Sequence, residues 1–278
     1  MEMVKAKMIV LCLLLSAFVS HAQEYEWISQ LMDGSRTGCV SVSGADVEEA
    51  IGKVAEDGTY YAPNGRVFQK GSSVAKVAAL VHEAQPEMMR VKTVIGYSDE
   101  EMPTSKSESK LSNWFVGIVM DKVASLSGKK VDVGICNFGG IRVNMPAGDV
   151  ILDDMLSMFP FKNDVVYLEL KGSRLRNIFE AMAADGFQAV GGVEIVVEDG
   201  VLIKALIGGE PIDDDKMYGV ATISFLLHGG DSLTLADGAV NLTVYDVQII
   251  EAVLEHVKSL TDAGKHITAP AVKYVTIK

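Results

Sequence analysis

Apolar residues recur along this chain with two periods, and each change of period marks an element boundary. Val77, Leu80, Val81 and Ala84 fall at helical spacing, and the apolar run over residues 91–95 predicts a strand. Leu111, Phe115, Ile118, Val119, Val123 and Leu126 trace one face of a second helix. Ser105 and Glu108 precede it at the S-x-x-E spacing of a capping box. A strand is predicted over 131–136, a short helix over 152–158, a strand over 165–170, and a helix over 173–184 that Asp185-Gly186 ends. Alternation then dominates, with strands over 193–197, 202–206, 218–222 and 242–245. A helix carrying Ile249, Ile250, Val253, Leu254, Val257 and Leu260 follows, and residues 272–277 form a last strand. Hairpins mixed with crossovers predict an α/β fold, a layered α/β sandwich built on a mixed sheet.

The stretch before this pattern differs in kind. Residues 23–73 are rich in glycine and polar residues, with Asp57-Gly58 and Pro63-Asn64-Gly65 as turn signals around the short Thr59-Tyr60-Tyr61 run. They read as a small irregular N-terminal region, and 74–278 as the main domain. Residues 1–22 read as a cleavable export signal: a basic start, an apolar run from Met8 to Val19 too short to span a bilayer, and Ser20-His21-Ala22 offering small residues to a signal peptidase. Cleavage after Ala22 removes Cys12 and predicts a periplasmic or secreted protein with no membrane anchor. Cys39 and Cys136 then remain in an oxidising compartment where a disulfide is permitted, but Cys136 ends an alternating apolar run where a thiol packs as a small hydrophobe. Free thiols are the expectation for both.

Charge narrows the partners. With 37 acidic residues against 25 basic and a net charge of -12, the surface repels nucleic-acid backbones and anionic lipid, so anionic ligands must be met by a few locally placed cations. The chemistry missing from the chain narrows the function further. A two-metal phosphoesterase needs clustered Asp, His and Asn ligands, yet His82, His228, His256 and His266 are scattered and no Asp-x-His, Asn-His-Glu/Asp or Gly-His-x-His stands in the sequence. Neither a phosphate-cradling Walker loop nor a Gly-x-Ser-x-Gly elbow is present. No catalytic residue, metal ligand or cofactor is assigned to this chain.

Three short stretches carry the candidate chemistry. Asn137-Phe138-Gly139-Gly140-Ile141-Arg142 follows a predicted strand, where glycines let backbone approach a ligand and an amide and a guanidinium can converge. Phe159-Pro160-Phe161 closes the short helix, and its proline fixes the chain so that one ring can face outward. Phe225-Leu226-Leu227-His228-Gly229-Gly230-Asp231 sets another aromatic near a Gly-Gly turn, with a carboxylate able to accept from two hydroxyls. Taken singly, each is an ordinary turn or a piece of core.

Their order, with Gly191-Gly192 between, resembles the C-terminal domain of bacterial and animal 5'-nucleotidases, from about residue 88 onward. The resemblance implies that Phe161 and Phe225 sandwich a nucleobase, that Arg142 and Asp231 hold the ribose and neighbouring groups, and that Asn137 lies near the base. Stacking of this kind contributes about 1 to 3 kcal/mol per ring with little base preference. The chain departs from the family in several places. Ser105 stands where relatives carry an arginine three residues before the glutamate matching Glu108, Phe138 replaces a glycine, and Ser232-Leu233 follows Asp231. The family's N-terminal metallophosphatase domain, which does the hydrolysis with two metals, has no counterpart here. The resemblance therefore implies the recognition half of a split nucleotidase for nucleoside 5'-monophosphates, its metals confined to a separate metallophosphatase chain. A stand-alone nucleoside-binding protein is the alternative, and a fold retained for another interaction with a decayed site is a third reading that the surviving site positions argue against.

Overall fold

The computed structural model describes residues 51–278, so the export signal, its cleavage point and Cys39 lie outside the described residues. The chain divides into two units, the first ending at Glu83 and the second running from Ala84 to Lys278. In the first, β1 (Lys53–Val54), β2 (Tyr60–Tyr61) and β3 (Val67–Phe68) pair in order as a small antiparallel sheet. The two turn signals do connect strands. Asp57 accepts the Thr59 backbone N–H at 2.8 Å, and Tyr60 stacks on Phe68 at 5.9 Å. Helix α1 (Ser73–Val91) then runs through Pro86, which places β4 at Val94–Ser98 rather than at 91–95.

The second unit is an α/β fold with mixed sheets. Its elements in chain order are β4, α2 (Lys110–Ser127), β5 (Val133–Cys136), β6 (Gly148–Ile151), α3 (Leu152–Met158), β7 (Asp164–Lys171), α4 (Gly172–Asp185) and β8 (Ala189–Gly191). These are followed by β9 (Val193–Glu198), β10 (Val201–Ile207), β11 (Glu210–Pro211), β12 (Met217–Ile223), β13 (Val240–Gln248), α5 (Ile249–Asp262) and β14 (Val275–Ile277). The main sheet has the order β13-β7-β12-β5-β8, with β5 and β12 parallel and the other pairs antiparallel. A second sheet has the order β11-β10-β9-β14.

Helix α2 is the centre of the core because its apolar positions cover more than one face: Leu111, Phe115, Val116, Val119 and Val123 are fully buried. It lies against β5, β7, β8 and β12 on one side and against α5 on another, while α4 packs on β10 and β7. The close approach of α2 depends on Gly134 in β5, where an added Cβ would come within 2.7 Å of Val116 and Met120 side-chain carbons. Cys136 ends β5 fully buried and free, and burial pushes its thiol far above the ordinary cysteine range, so it packs as an inert hydrophobe.

The capping box read from Ser105 and Glu108 is not the one that forms. The helix starts later, with Ser109 as N-cap: its hydroxyl accepts the Ser112 N–H, and the Ser112 hydroxyl accepts the Ser109 N–H in return. Ser105 and Ser107 pair their hydroxyls on the exposed loop. Glu108 turns instead to the end of the chain. Its carboxylate accepts from Asn113 Nδ2 (2.9 Å), Tyr274 N (2.6 Å) and Val275 N (2.8 Å), fastening β14 to the start of α2.

One pH response follows from α5. His256 sits edge-on to Trp114 with ring centroids 6.0 Å apart, and desolvation lowers its pKa from 6.5 against the opposing pull of Asp121. The unfolded chain therefore takes up this proton before the folded one, so the stability held above about pH 6.5 falls as the pH drops through that value. Melting temperatures measured from pH 8 to pH 5 should fall less steeply for His256→Gln than for the parent chain.

Candidate functional site

The three candidate stretches leave the same end of the main sheet, and strand register is what brings them there. Strand β5 runs parallel to β12 with Val133 opposite Val220, so Asn137 follows the carboxyl end of β5 beside the carboxyl end of β12. Strand β7 runs antiparallel to β12 with Val165 opposite Ile223. Phe161, just before β7, and Phe225, just after β12, therefore emerge at neighbouring positions. The Ser224 hydroxyl accepts the Asp164 N–H at 3.0 Å and ties the two aromatic-bearing segments together.

Both rings stand out from the core, Phe161 46% and Phe225 44% exposed, whereas Phe159 is buried against Phe115 with centroids 4.8 Å apart. Of the Phe-Pro-Phe stretch, then, one ring belongs to the core and the other faces outward. Phe225 rests on a Gly-Gly turn: a Cβ on Gly230 would lie 2.2 Å from the Phe225 carbonyl oxygen and 2.8 Å from its ring. Only glycine lets the ring lie so close to the turn. Beyond it, Asp231 and Ser232 adopt left-handed backbone with φ 45° and 62°, a conformation aspartate tolerates better than most residues. This local strain aims the carboxylate back towards β5.

There Asp231 meets Asn137. The Asn137 amide donates from Nδ2 to Asp231 Oδ2 at 2.8 Å, joining residues 94 positions apart. That bond fixes the amide's orientation, since the reverse would set two oxygens face to face. Asn137 is 6% exposed, and its Oδ1 is buried without a hydrogen-bond partner. A buried acceptor left unpaired costs about 1–3 kcal/mol, so the site is one hydrogen-bond donor short. The Asn137 turn is held from behind by Gln188, whose side-chain oxygen accepts the Phe138 N–H at 3.1 Å.

Arg142 reaches the same place by way of α3. Its backbone N–H donates to the Met158 carbonyl at 3.0 Å, its Nη1 donates to Gly139 O at 3.3 Å, and its guanidinium carbon lies 5.8 Å from the centre of the Phe161 ring. All five residues singled out in the sequence, Asn137, Arg142, Phe161, Phe225 and Asp231, thus gather at one sheet end. Ser224, Gln188 and Gly230 support them, and the first two carried no signal in the sequence because their roles are set by partners 60 and 50 positions away. The arrangement offers two exposed aromatic faces, a carboxylate, an unpaired amide oxygen and a guanidinium. It can stack a planar ring, accept from hydroxyl or amino groups and attract an anion. Among the described residues, no cluster of three His, Cys, Asp or Glu side chains could hold a metal ion, and no helix is long and apolar enough to cross a membrane.

Comparison with known proteins identifies the family and the fold. Residues 90–238 match the family model for the 5'-nucleotidase C-terminal domain. The chain is 32% identical to Protein UshA of Escherichia coli over 132 residues, covering 45% of this chain and 24% of that one. It is 28% identical to a 5'-nucleotidase of Vibrio cholerae over 163 residues, covering 56% of this chain and 29% of the other. The 5'-nucleotidase precursor of Thermus thermophilus shares the fold with a TM-score of 0.63 at 22% identity, over 78% of this chain and 45% of that structure. The matched part of the chain therefore spans under a third of the two curated relatives and under half of the solved structure. With more than half its residues matched by the model and its site motifs at one sheet end, the chain belongs to the 5'-nucleotidase C-terminal domain family.

Proposed function

We propose that this chain binds nucleosides and nucleoside 5'-monophosphates, and that it serves as the recognition half of a split 5'-nucleotidase whose metallophosphatase resides on another polypeptide. The observation that carries the reading is the meeting of Phe161, Phe225, Arg142 and the Asn137–Asp231 pair at one sheet end. Phe161 and Phe225 stack the base. Asp231 keeps one oxygen on Asn137 and turns the other to the ribose hydroxyls, while Arg142 holds the sugar and neighbouring groups. Divalent metals belong to the partner polypeptide, and the leader at 1–22 delivers this chain to the periplasm or beyond.

Calorimetric titration of the purified chain with adenosine and with adenosine 5'-monophosphate, in the absence of metal, tests the binding claim directly. Saturable binding of both is expected, and no release of phosphate after addition of magnesium, manganese or zinc. Absence of binding by either ligand would remove the recognition role, and metal-dependent hydrolysis by a contaminant-free preparation would remove the division of labour. Asp231→Ala should weaken adenosine about tenfold or more, because charge-assisted hydrogen bonds contribute about 1.5–3 kcal/mol. The same variant should barely alter binding of 2',3'-dideoxyadenosine, which has no diol to lose. Equal losses for the two ligands would make Asp231 a former of the turn rather than a ribose ligand.

A further inference from the structure

A cavity in the same unit has a chemistry of its own. It encloses about 590 Å³, within the usual range for small-molecule sites, and lies between the start of α2, the loop before β8 and the last strand. Phe138, Phe187 and Val275 line it, all buried, together with the exposed Val272 and Ile277. Phe138, which also belongs to the Asn137 turn, is one of the lining residues.

Cations gather on this apolar lining. Lys106, Lys110 and Lys273 all border the cavity. Lys110 is neutralised by Glu100 at 2.6 Å, but Lys106 and Lys273 form no ion pair among the described residues, on a chain whose net charge is -12. The one carboxylate in the lining, Glu108, is held in place by Asn113 Nδ2 and the Tyr274 and Val275 N–H groups; its charge offsets one lysine, so Lys106, Lys273 and Glu108 together leave the lining with a single positive charge. Two unpaired ammonium groups beside a partly enclosed apolar surface match one kind of molecule: a flat apolar body carrying a single acidic group.

We propose that this cavity is a binding site for small aromatic anions, separate from the nucleoside site. The ring lies against Phe138, Phe187 and Val275, and its carboxylate, or another acidic group of similar size, is held by Lys106 and Lys273. Both lysines are exposed, so they select by long-range attraction and are screened by salt.

The test uses the full chain and 2-naphthoate, with the uncharged 2-naphthalenemethanol as its isostere, titrated by calorimetry at low ionic strength. Naphthoate should bind saturably and about tenfold or more tighter than the alcohol. The Lys106→Gln/Lys273→Gln double variant should lose about five- to tenfold of that affinity at an unchanged melting temperature. Val272→Trp, which fills the opening, should abolish binding of both compounds. Saturating adenosine should leave naphthoate affinity as it was, and Phe161→Ala should do likewise. No saturable binding, equal binding of the alcohol, or full affinity in the double lysine variant would each overturn the proposal. Competition with adenosine would also overturn it, by placing the naphthyl ring between Phe161 and Phe225.

Discussion

Replacing Phe161 and Phe225 together by alanine should reduce adenosine affinity by about a hundredfold or more while moving the melting temperature only slightly. Each ring is nearly half exposed, so truncation removes little buried surface from the folded chain. A core phenylalanine such as Phe115, fully buried, would cost about 3–5 kcal/mol of stability when cut to alanine, and has no reason to touch a ligand. A stacking ring shows the opposite pattern, with about 1–3 kcal/mol lost from binding at each position. The two losses should not add, because a base gripped on one face loses its orientation when the other face is gone. Paired melting and titration series on the two single variants and the double variant separate the cases. Large melting shifts with unchanged adenosine affinity would return both rings to the scaffold and undo the proposed function.

The second large effect is on stability. Glu108→Ala should lower the unfolding free energy by about 3 kcal/mol, because a carboxylate serving three N–H donors disappears and the backbone N–H of Tyr274 loses its partner. Glu108→Gln should recover part of the loss, since an amide oxygen can still accept at one of the two positions. Urea unfolding at pH 7 reads the difference. An unchanged midpoint in Glu108→Ala would mean that β14 is held by its ladder with β9 alone.

Much of the architecture was legible because its elements are long and periodic. Helix α2 announced itself through Leu111, Phe115, Ile118 and Val119, and the short helix predicted over 152–158 is α3. What escaped was short or was decided from a distance. Strands β6 and β8 span 4 and 3 residues, too few to show alternation. The strand predicted over 91–95 begins at Val94, because α1 continues through Pro86 with Glu87, Met88 and Met89, all good helix formers. Glu108 had the spacing of a helix cap, yet its carboxylate is claimed by backbone 166 residues away, and no local pattern encodes that.

The candidate site divides in the same way. Its residues could be named from motif order, and their placement at strand ends followed from where the glycines stand. The bond from Asn137 to Asp231 and the unpaired Asn137 Oδ1 could not be read from the sequence, since they arise from register between β5, β12 and the turn beyond. The exposure of Phe161 beside the buried Phe159 was open in the sequence too, because a proline between two aromatics permits either ring to turn outward.

The pairing of β5 with β12 also governs when the site comes into being. Val133 and Val220 are neighbours in space but 87 positions apart in the chain, and the strand lying between β12 and β13 enters antiparallel from a third segment. Joining such distant segments requires a large loop to close before any contact rewards it, so helices such as α2 can form early while the sheet is assembled late. Asn137, Arg142 and Phe161 come from one side of that closure, and Phe225 and Asp231 from the other. A chain arrested before β12 has docked therefore owns three of the five side chains without their arrangement, and the candidate site is formed in the same cooperative step as the sheet itself.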